Sequence, residues 1–257
     1  MTRSHASSRI ALITGANRGI GRATALQLAR DGIDVILTYR THREEADEVV
    51  REIRALGRIA TALQLDAAQV ATFDVFVAGV RAVLRDTWQR DSFDFLVNNG
   101  GVQVAEPLEK VSEEGFDRLV DVHFKGVFFL TQKLLPLIGN PGSIVNVSSG
   151  TARFYTPDRA IYSSVKGAVE VLSRYLAHEL GPRGITVNVI APGAVATDFS
   201  GGMLRSNEQV QKHIASLTPL GRFGVAEDVA GAIGALLGDG NRFVTGQRIE
   251  VSGGIHL

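Results

Sequence analysis

The chain has 257 residues, enough for one large α/β domain or two small ones with a sizeable core. Its 27 basic and 27 acidic residues cancel, so no basic surplus points to nucleic acid or an anionic membrane as a partner. The absence of cysteine excludes a disulfide framework and a cysteine-ligated metal, and we predict no metal site.

The start of the chain shows neither a targeting signal nor a membrane segment. Residues 1–8 form a short polar tail that lacks the apolar core of a signal peptide. No apolar run approaches the ~20 residues that span a membrane. We therefore expect a cytoplasmic protein in which residues 9–257 form a single nucleotide-binding domain.

A glycine-rich segment directly follows the first apolar run, at residues 10–13. A strand, a glycine turn and a helix together open a dinucleotide-binding unit, because glycines let the backbone approach a pyrophosphate. Unpaired N–H groups at the start of the helix also favour an anion. The predicted cofactor-binding residues of this turn are Gly15, Asn17, Arg18, Gly19, Ile20 and Gly21.

Strand and helix signals alternate along the rest of the chain. Further strands are predicted at residues 35–38, 59–65, 95–97, 144–147, 185–190 and 247–251. The main helices are predicted at residues 43–56, 76–88, 116–137, 160–180 and 227–237, with a polar helical stretch at 203–216. This order predicts a single-domain α/β fold, a Rossmann-type doubly wound parallel sheet of about seven strands flanked by helices. Ligands should gather at the carboxyl ends of its strands.

Tyr162 and Lys166 stand four residues apart at the start of a predicted helix, so they share one face. An unperturbed phenol has a pKa of ~10, and a nearby ammonium favours the phenolate. We therefore expect a lowered pKa for Tyr162, which would make proton transfer to a substrate oxygen feasible. Ser149 follows the predicted strand at residues 144–147, where its hydroxyl can hold a carbonyl oxygen beside Tyr162.

These motifs resemble those of the short-chain dehydrogenase/reductase family from Arg9 to the end of the chain. The matching segments are Thr14 to Gly21, Asn98-Asn99-Gly100, Ser149, Tyr162-xxx-Lys166, and Ile190-Ala191-Pro192-Gly193-xxx-Thr197. The resemblance implies that Tyr162 is the catalytic acid/base and that Ser149 orients the substrate. It implies that Lys166 lowers the pKa of Tyr162 and binds the nicotinamide ribose.

The resemblance also implies further cofactor contacts. Those beside the adenosine ribose are Asn99 and Gly100, and those at the nicotinamide end are Pro192, Gly193, Val195 and Thr197, with Val195 acting through its backbone. Asp66, which Ala67 follows, ends its strand where the family places a carboxylate that binds the adenine amino group. An Asp in that position equally serves as a helix cap.

The main departure from the family is His123, because the family commonly places there an Asn that supports a proton-relaying water. Two interpretations remain open. In the first, the neutral imidazole accepts a hydrogen bond from that water, and protonation near the usual pKa of ~6.5 interrupts the relay to Lys166. In the second, His123 points elsewhere and its backbone holds the water. Gly100 also replaces the usual Ala of the Asn-Asn-Ala-Gly motif.

The end of the second strand determines which nicotinamide cofactor is predicted. NAD-dependent enzymes place an acidic residue there to bind the ribose 2′-OH, but this chain has Tyr39. Arg40 follows, and Arg18 lies within the glycine turn. Two guanidinium groups can clamp a 2′-phosphate with charge-assisted bonds. We therefore predict NADP(H) rather than NAD(H).

The sequence thus predicts an oxidoreductase that transfers a hydride between NADP(H) and a small-molecule carbonyl or secondary alcohol. The specific activity is a 3-oxoacyl-thioester or ketone reductase, with a sugar or polyol dehydrogenase equally open. The alternative from another class is an NADP-binding sensor or scaffold that kept the fold and lost the chemistry. By resemblance the protein is a homotetramer, and residues 198–218 are a lid over the substrate or equally a surface insertion.

Overall fold

The computed structural model of the protein describes residues 8–257, apart from the side chains of Ser200 and Met203. Residues 1–7 of the predicted tail lie outside the described residues. The strands are β1 (Ile10–Ile13), β2 (Asp34–Tyr39), β3 (Ala60–Gln64), β4 (Phe93–Asn98), β5 (Ile138–Val147), β6 (Ile185–Pro192) and β7 (Arg248–Val251). The helices are α1 (Gly19–Arg30), α2 (Arg43–Ala55), α3 (Phe73–Val83), α4 (Glu113–Val120), α5 (Gly126–Leu134), α6 (Ala160–Leu180), α7 (Met203–Ser206), α8 (Glu208–Leu217) and α9 (Ala226–Leu237).

The seven strands form one parallel sheet in the order β3-β2-β1-β4-β5-β6-β7. Strand β1 pairs with both β2 and β4, so Ala11 lies opposite Val35 on one side and Phe95 on the other. The direction of winding reverses between β1 and β4, and a crevice forms at such a point beyond the carboxyl ends of the strands. The prediction of a doubly wound, seven-stranded α/β fold is confirmed.

Both faces of the sheet are covered by apolar side chains, which explains the nearly continuous apolar runs of its strands. Along β1, Ala11 and Ile13 pack toward α1, α2 and α9, while Ile10 and Leu12 pack toward α3, α5 and α6. This alternation is the two-residue period of a strand. No helix among residues 8–257 combines the length and the apolar character that crossing a membrane requires.

The helix predicted over residues 116–137 is interrupted near its middle. Helices α4 and α5 are joined by a π turn at Asp121–Lys125, and a 3₁₀ turn ends the segment at Leu135–Leu137. Gly126 follows the π turn and lies so close to the chain after β3 that a Cβ there would sit 2.2 Å from the carbonyl oxygen of Ala67. The π turn contains His123, in agreement with the frequent occurrence of such turns at functional sites.

The polar stretch predicted as one helix at residues 203–216 is two helices, α7 and α8. They are separated at Asn207, whose side-chain oxygen accepts hydrogen bonds from the backbone N–H groups of Gln209 (3.0 Å) and Val210 (3.2 Å). This N-cap starts α8 afresh. Helix α8 has no buried residue, so the segment contributes little to the core.

The close approach at Gly126 predicts a stability effect. Gly126→Ala should lower the free energy of unfolding by about 1–3 kcal/mol, as overpacking does, because the new methyl group meets backbone rather than a movable side chain. Gly231→Ala is the matched control, since nothing lies within 4 Å of a Cβ at that position in α9. The control should gain about 0.4–1 kcal/mol. Urea unfolding of both variants tests this, and equal effects would contradict the packing argument.

Candidate active site

The glycine turn after β1 packs against the end of β4 with no room for a side chain at Gly15 or Gly21. A Cβ on Gly15 would lie 2.8 Å from the Cα of Gly100, and one on Gly21 would lie 2.3 Å from the carbonyl oxygen of Gly15. The side-chain amide of Asn99 donates to the carbonyl oxygens of Thr14 (3.0 Å) and Gly15 (3.1 Å). The hydroxyl of Thr14 accepts from the backbone N–H groups of Asn99 (3.0 Å) and Gly100 (2.9 Å). The structure thus brings the predicted residues Asn99 and Gly100 to the glycine turn.

Helix α1 begins at Gly19 without a side-chain cap. Arg18 occupies the N-cap position, but its side chain makes no capping hydrogen bond. The first N–H groups of α1 therefore remain available to an anion. Thr197 lies next to this helix start, with its Cβ and Cγ2 atoms 3.7 Å from the position of a Cβ on Gly19. Ile20 packs against the apolar cluster under α1.

The end of β2 carries no carboxylate. Tyr39 is buried in the apolar cluster beneath α1 and α2, so its ring serves the core. Arg18 and Arg40 are both exposed, and neither forms an ion pair with any residue from 8 to 257. Asn17 is turned toward α2, where its side-chain amide donates to Glu45 (2.7 Å).

A cavity of about 580 Å³ opens beside the ends of β2 and β3, and Arg40, Asp66 and Phe76 are among its lining residues. The Asp66 carboxylate accepts a hydrogen bond from the backbone N–H of Ala68 (3.0 Å). Asp66 therefore stabilises the turn that follows β3 and caps no helix, since the next helical turn begins after Gln69. Its place on the cavity wall keeps the adenine contact as a prediction. Ala67 presents its carbonyl oxygen to the start of α5.

The loop after β6 is equally tight. Pro192 ends the strand, and a Cβ on Gly193 would lie 2.9 Å from the Cα of Ser252. Val195 forms an isolated parallel bridge with Gly224, made by the backbone groups of its two neighbours. In such a bridge the N–H and C=O groups of Val195 itself point away from Gly224.

Three side chains converge where β5 meets α6. Tyr162 and Lys166, on the first two turns of α6, are 9% and 5% exposed. The Lys166 Nζ atom donates to the carbonyl oxygen of Val147 (2.7 Å) and lies 5.7 Å from the centre of the Tyr162 ring. Ser149 lies just beyond β5, and its hydroxyl oxygen accepts from the N–H (3.2 Å) and the hydroxyl (3.0 Å) of Thr151.

The expected lowering of the pKa of Tyr162 is wrong for this structure. Burial raises the pKa of Tyr162 to about 12, outweighing a side-chain hydrogen bond with Ser149 and the charge of Arg159, which both lower it. Burial lowers the pKa of Lys166 to about 8. The four-residue spacing indicates a shared helix face, but it does not reveal that this face is dry or that the ammonium is bound to Val147. At neutral pH, the Tyr162 phenol is therefore protonated.

His123 is 1% exposed and lies on the π turn with its ring edge-on to Tyr162, 5.3 Å between centres. Its Nε2 atom lies 2.6 Å from the carbonyl oxygen of Val102 and 3.2 Å from the N atom of the same residue. The shorter contact needs a donor, so we assign the proton to Nε2. Nδ1 is then an acceptor, and it is buried without a partner among the described residues.

The pKa of His123 is lowered to about 3, first by burial and then by the charge of Lys166. Protonation near pH 6.5, as the sequence suggests, is therefore wrong, and the imidazole is neutral across the working range. Its ring lies edge-on beside Tyr162, so the side chain does not point away from these residues, and the water contact of the first interpretation stays a prediction.

Two residues that the sequence did not single out border Tyr162. Arg159 precedes it by one helical turn, and its Nη1 atom is buried without a partner among the described residues. The three-residue spacing is the signal that would have found it. Phe199 is 41% exposed, with its ring centre 6.0 Å from that of Tyr162. Its position depends on the loop after β6, which the sequence does not specify.

Comparison with known proteins places this arrangement in a family. The family model described as enoyl-(acyl carrier protein) reductase matches residues 15–256. The chain belongs to the short-chain dehydrogenase/reductase family. The resemblance predicted from the sequence motifs is thus confirmed.

Three relatives of this family show how far the similarity extends. The chain is 37% identical over 252 residues to the 3-oxoacyl-[acyl-carrier-protein] reductase FabG of Staphylococcus aureus, covering 97% of this chain and 99% of the relative. The reductase LugOII of lugdunomycin biosynthesis superposes with a TM-score of 0.92 at 34% identity, covering 98% and 99%. The angucycline C-6 ketoreductase LanV with bound NADP has a TM-score of 0.90 at 34% identity, covering 96% and 95%.

The buried imidazole predicts a pH-dependent stability. The pKa of His123 is about 3 in the folded chain and ~6.5 when unfolded, so below pH 6.5 only the unfolded state takes up the proton. The free energy of unfolding should therefore decrease as the pH is lowered, by about 1.4 kcal/mol per pH unit below pH 6. Urea unfolding from pH 7 to 4.5 should show a shallower slope in His123→Asn than in wild type. His213→Asn, on the exposed side of α8, should keep the wild-type slope. Parallel lines for wild type and His123→Asn would refute the assignment.

Proposed function

We propose that this chain is an NADP(H)-dependent oxidoreductase that interconverts a carbonyl compound and a secondary alcohol, with Tyr162 as the acid/base. The observation that carries the proposal is the convergence of Ser149, Tyr162 and Lys166 at the carboxyl edge of the sheet that also presents the glycine turn. The name of the FabG relative, a 3-oxoacyl reductase, supports the same reaction class.

The residues present fit a dinucleotide. The glycine turn has no space for a Cβ at Gly15 or Gly21, so its backbone carries no side chain at these two positions. The start of α1 offers uncapped N–H groups to phosphates. Arg18 and Arg40, free of ion pairs among residues 8–257, suit a 2′-phosphate, and LanV is a structural relative with bound NADP. When bound, the nicotinamide supplies or accepts the hydride.

The chain's own residues then handle the proton and the carbonyl oxygen. In reduction, the hydroxyls of Ser149 and Tyr162 donate hydrogen bonds to the substrate oxygen, and Tyr162 transfers its proton as negative charge develops there. A pKa of about 12 keeps the phenol protonated until that moment. The Lys166 ammonium then stabilises the phenolate left behind, because a charge in a dry site acts strongly. In alcohol oxidation the same groups act in reverse.

We propose that His123 holds the water through which the site regains its proton. The Nδ1 atom is an unpartnered acceptor in a buried position beside Tyr162, and such an atom is well suited to bind water. Since the imidazole stays neutral, it should add no acid limb to the pH–rate profile above about pH 4. An acid limb present in wild type and lost in His123→Asn would contradict this role.

The substrate class that we favour is a 3-oxoacyl thioester, because FabG is named for that activity. The four-residue spacing of Tyr162 and Lys166 argues against an enoyl reductase, in which these residues are typically farther apart. A cyclic ketone is the second candidate. The exposed ring of Phe199 packs beside the ring of Tyr162, and LanV is named as an angucycline ketoreductase. In both cases residues 198–218 would serve as the lid, as the lack of buried residues in α8 allows.

The exposed surface of α5 and α6 supports the proposal of a homotetramer. Phe128, Val171 and Tyr175 are 39%, 46% and 66% exposed and line an apolar depression of about 570 Å³. Apolar surface of this kind favours burial against another protein chain. Sedimentation equilibrium would measure the mass, and a monomer at micromolar concentration would refute the proposal.

Replacing Tyr162 tests the assigned chemistry. Tyr162→Phe should keep the ring and remove the proton donor, so turnover with ketone and 3-oxoacyl-thioester substrates should fall by at least ~10²-fold. NADPH affinity, measured by fluorescence titration, should change little. Tyr175→Phe is the control, because it removes a phenol hydroxyl from the same helix α6 outside the group Ser149, Tyr162 and Lys166. Near-normal turnover of Tyr162→Phe would refute the mechanism, and a wild-type protein that binds NADPH without reducing any ketone, thioester or sugar would indicate a sensor.

Replacing Arg40 tests the cofactor. Arg40→Asp places a negative charge where attraction to the 2′-phosphate is proposed, so the Kd for NADPH should rise by about tenfold or more, from the 1.5–3 kcal/mol of a charged hydrogen bond. The Kd for NADH should change far less. Arg43→Asp, in the first turn of α2, controls for net charge. A wild-type preference for NADH, or equal effects on both cofactors, would contradict the proposal.

A further inference from the structure

A shielded cluster of charged side chains lies behind Ser149. Arg248, on β7, makes three bonds from its guanidinium: to Glu170 on α6 (2.7 Å), to Glu250 (2.7 Å) and to the carbonyl oxygen of Ser149 (3.2 Å). The side chains of Arg248, Glu170 and Glu250 are only 20%, 13% and 14% exposed. Ion pairs this shielded are screened less by salt than surface pairs.

The cluster binds one group on each side of the Ser148–Ser149 peptide, the Ser148 hydroxyl and the Ser149 carbonyl. The hydroxyl of Ser148 donates to the same Glu170 oxygen that Arg248 binds (2.6 Å). One residue later, the Ser149 carbonyl accepts from Arg248. One carboxylate and one guanidinium therefore fix the direction in which the Ser149 side chain leaves the chain.

The same cluster reaches the far end of the turn that follows Ser149. Glu250 binds Arg153 (3.2 Å) as well as Arg248, and Arg153 donates to the carbonyl oxygen of His256 (2.8 Å). Between these arginine contacts lies the 3₁₀ turn Gly150–Ala152. Two side chains of β7 therefore bind the two ends of this turn, Arg248 at Ser149 and Glu250 at Arg153.

We propose that Arg248 is a positioning residue for the reaction, acting through the Ser149 carbonyl to keep the Ser149 hydroxyl aimed at the substrate oxygen and at Tyr162. Arg248 contacts no reacting atom, and its role rests on the proposed function of Ser149. The planar guanidinium suits this task because it serves two carboxylates and a carbonyl at fixed angles, whereas a lysine ammonium is a point charge.

The test is a double-mutant cycle with Ser149→Ala and Arg248→Gln. Arg248→Gln alone should lower kcat by about tenfold or more, since misplacement by about 1 Å costs up to ~10² in rate. The effect on KM and on the Kd for NADPH should stay within about twofold. In the Ser149→Ala background the same change should cost no further activity, because an indirect effect disappears with the group it acts through.

Arg90→Gln is the matched control. Like Arg248, Arg90 makes two bonds to carboxylate oxygens, both of them on Asp94, and one to a backbone carbonyl, that of Ser8, with a similar side-chain exposure of 22%. It lies at the opposite end of the sheet. This variant should lose stability by a comparable amount with kcat unchanged. If Arg248→Gln does not fold, Arg248→Lys replaces it in the cycle and should show a smaller loss with the same dependence on Ser149.

A third readout is the pH dependence of alcohol oxidation, which follows the ionisation of Tyr162. The groups beside that phenol are Ser149, Arg159, Lys166 and His123. Because the hydrogen bond with Ser149 lowers the pKa of Tyr162, misplacing that hydroxyl should move the basic rise of rate to higher pH in Arg248→Gln, in the same direction as we expect for Ser149→Ala. A purely structural role would leave this limb in place.

The outcomes separate the two proposals. The positioning role would be overturned if Arg248→Gln kept the wild-type kcat, or if it lowered kcat by the same factor in the wild-type and Ser149→Ala backgrounds. Either result would leave the proposed function intact. A wild-type enzyme that is insensitive to Ser149→Ala, or inactive, would instead overturn the proposed function on which the role rests.

Discussion

Tyr162, Lys166 and His123 lie side by side in a nearly dry pocket, and burial moves the pKa of each toward its uncharged form. Of these three side chains only Lys166, with a pKa of about 8, still carries charge at neutral pH, and its Nζ atom donates to the Val147 carbonyl. A second cation on His123 would have to share the same low-dielectric space, which is why the imidazole resists protonation. The pocket is thus prepared for one new negative charge beside Tyr162.

Different residues stabilise the two halves of the site, but in each half polar side chains bind backbone groups. In the half formed by β1 and β4, the side chains of Thr14 and Asn99 bind main-chain groups around a turn that has no space for a Cβ at Gly15 or Gly21. In the half formed by β5 and β7, Arg248 binds the Ser149 carbonyl, and Glu170 binds both Arg248 and the Ser148 hydroxyl. Both depend on polar side chains that bind backbone groups near the carboxyl edge, where helix packing alone would leave loops free to move.

How far the sequence predicts this site depends on how local each feature is. The strand–turn–helix unit and the Tyr162-xxx-Lys166 pair follow from neighbouring residues, and the sheet follows from the alternation of elements. The π turn ends next to Gly126, which lies against the carbonyl oxygen of Ala67, and this contact joins segments far apart in the chain. The direction of the pKa of Tyr162 depends on burial, which spacing does not reveal. The Arg248 cluster joins residues 78 and 99 positions apart, and no local pattern indicates it.

The pocket also explains how a histidine is accommodated at position 123. A Cβ on Gly101 would lie 2.7 Å from the imidazole Cε1 atom, so the ring occupies the space that any side chain at that position would need. His123 and Gly101 are therefore coupled by volume, and the ring in turn is fixed by its hydrogen bond to Val102. Because the ring fills this space, it excludes bulk water from one side of Tyr162, which strengthens the desolvation that sets the pKa of the phenol. The departure at position 123 thus affects the protonation of its neighbours as well as its own hydrogen bonding.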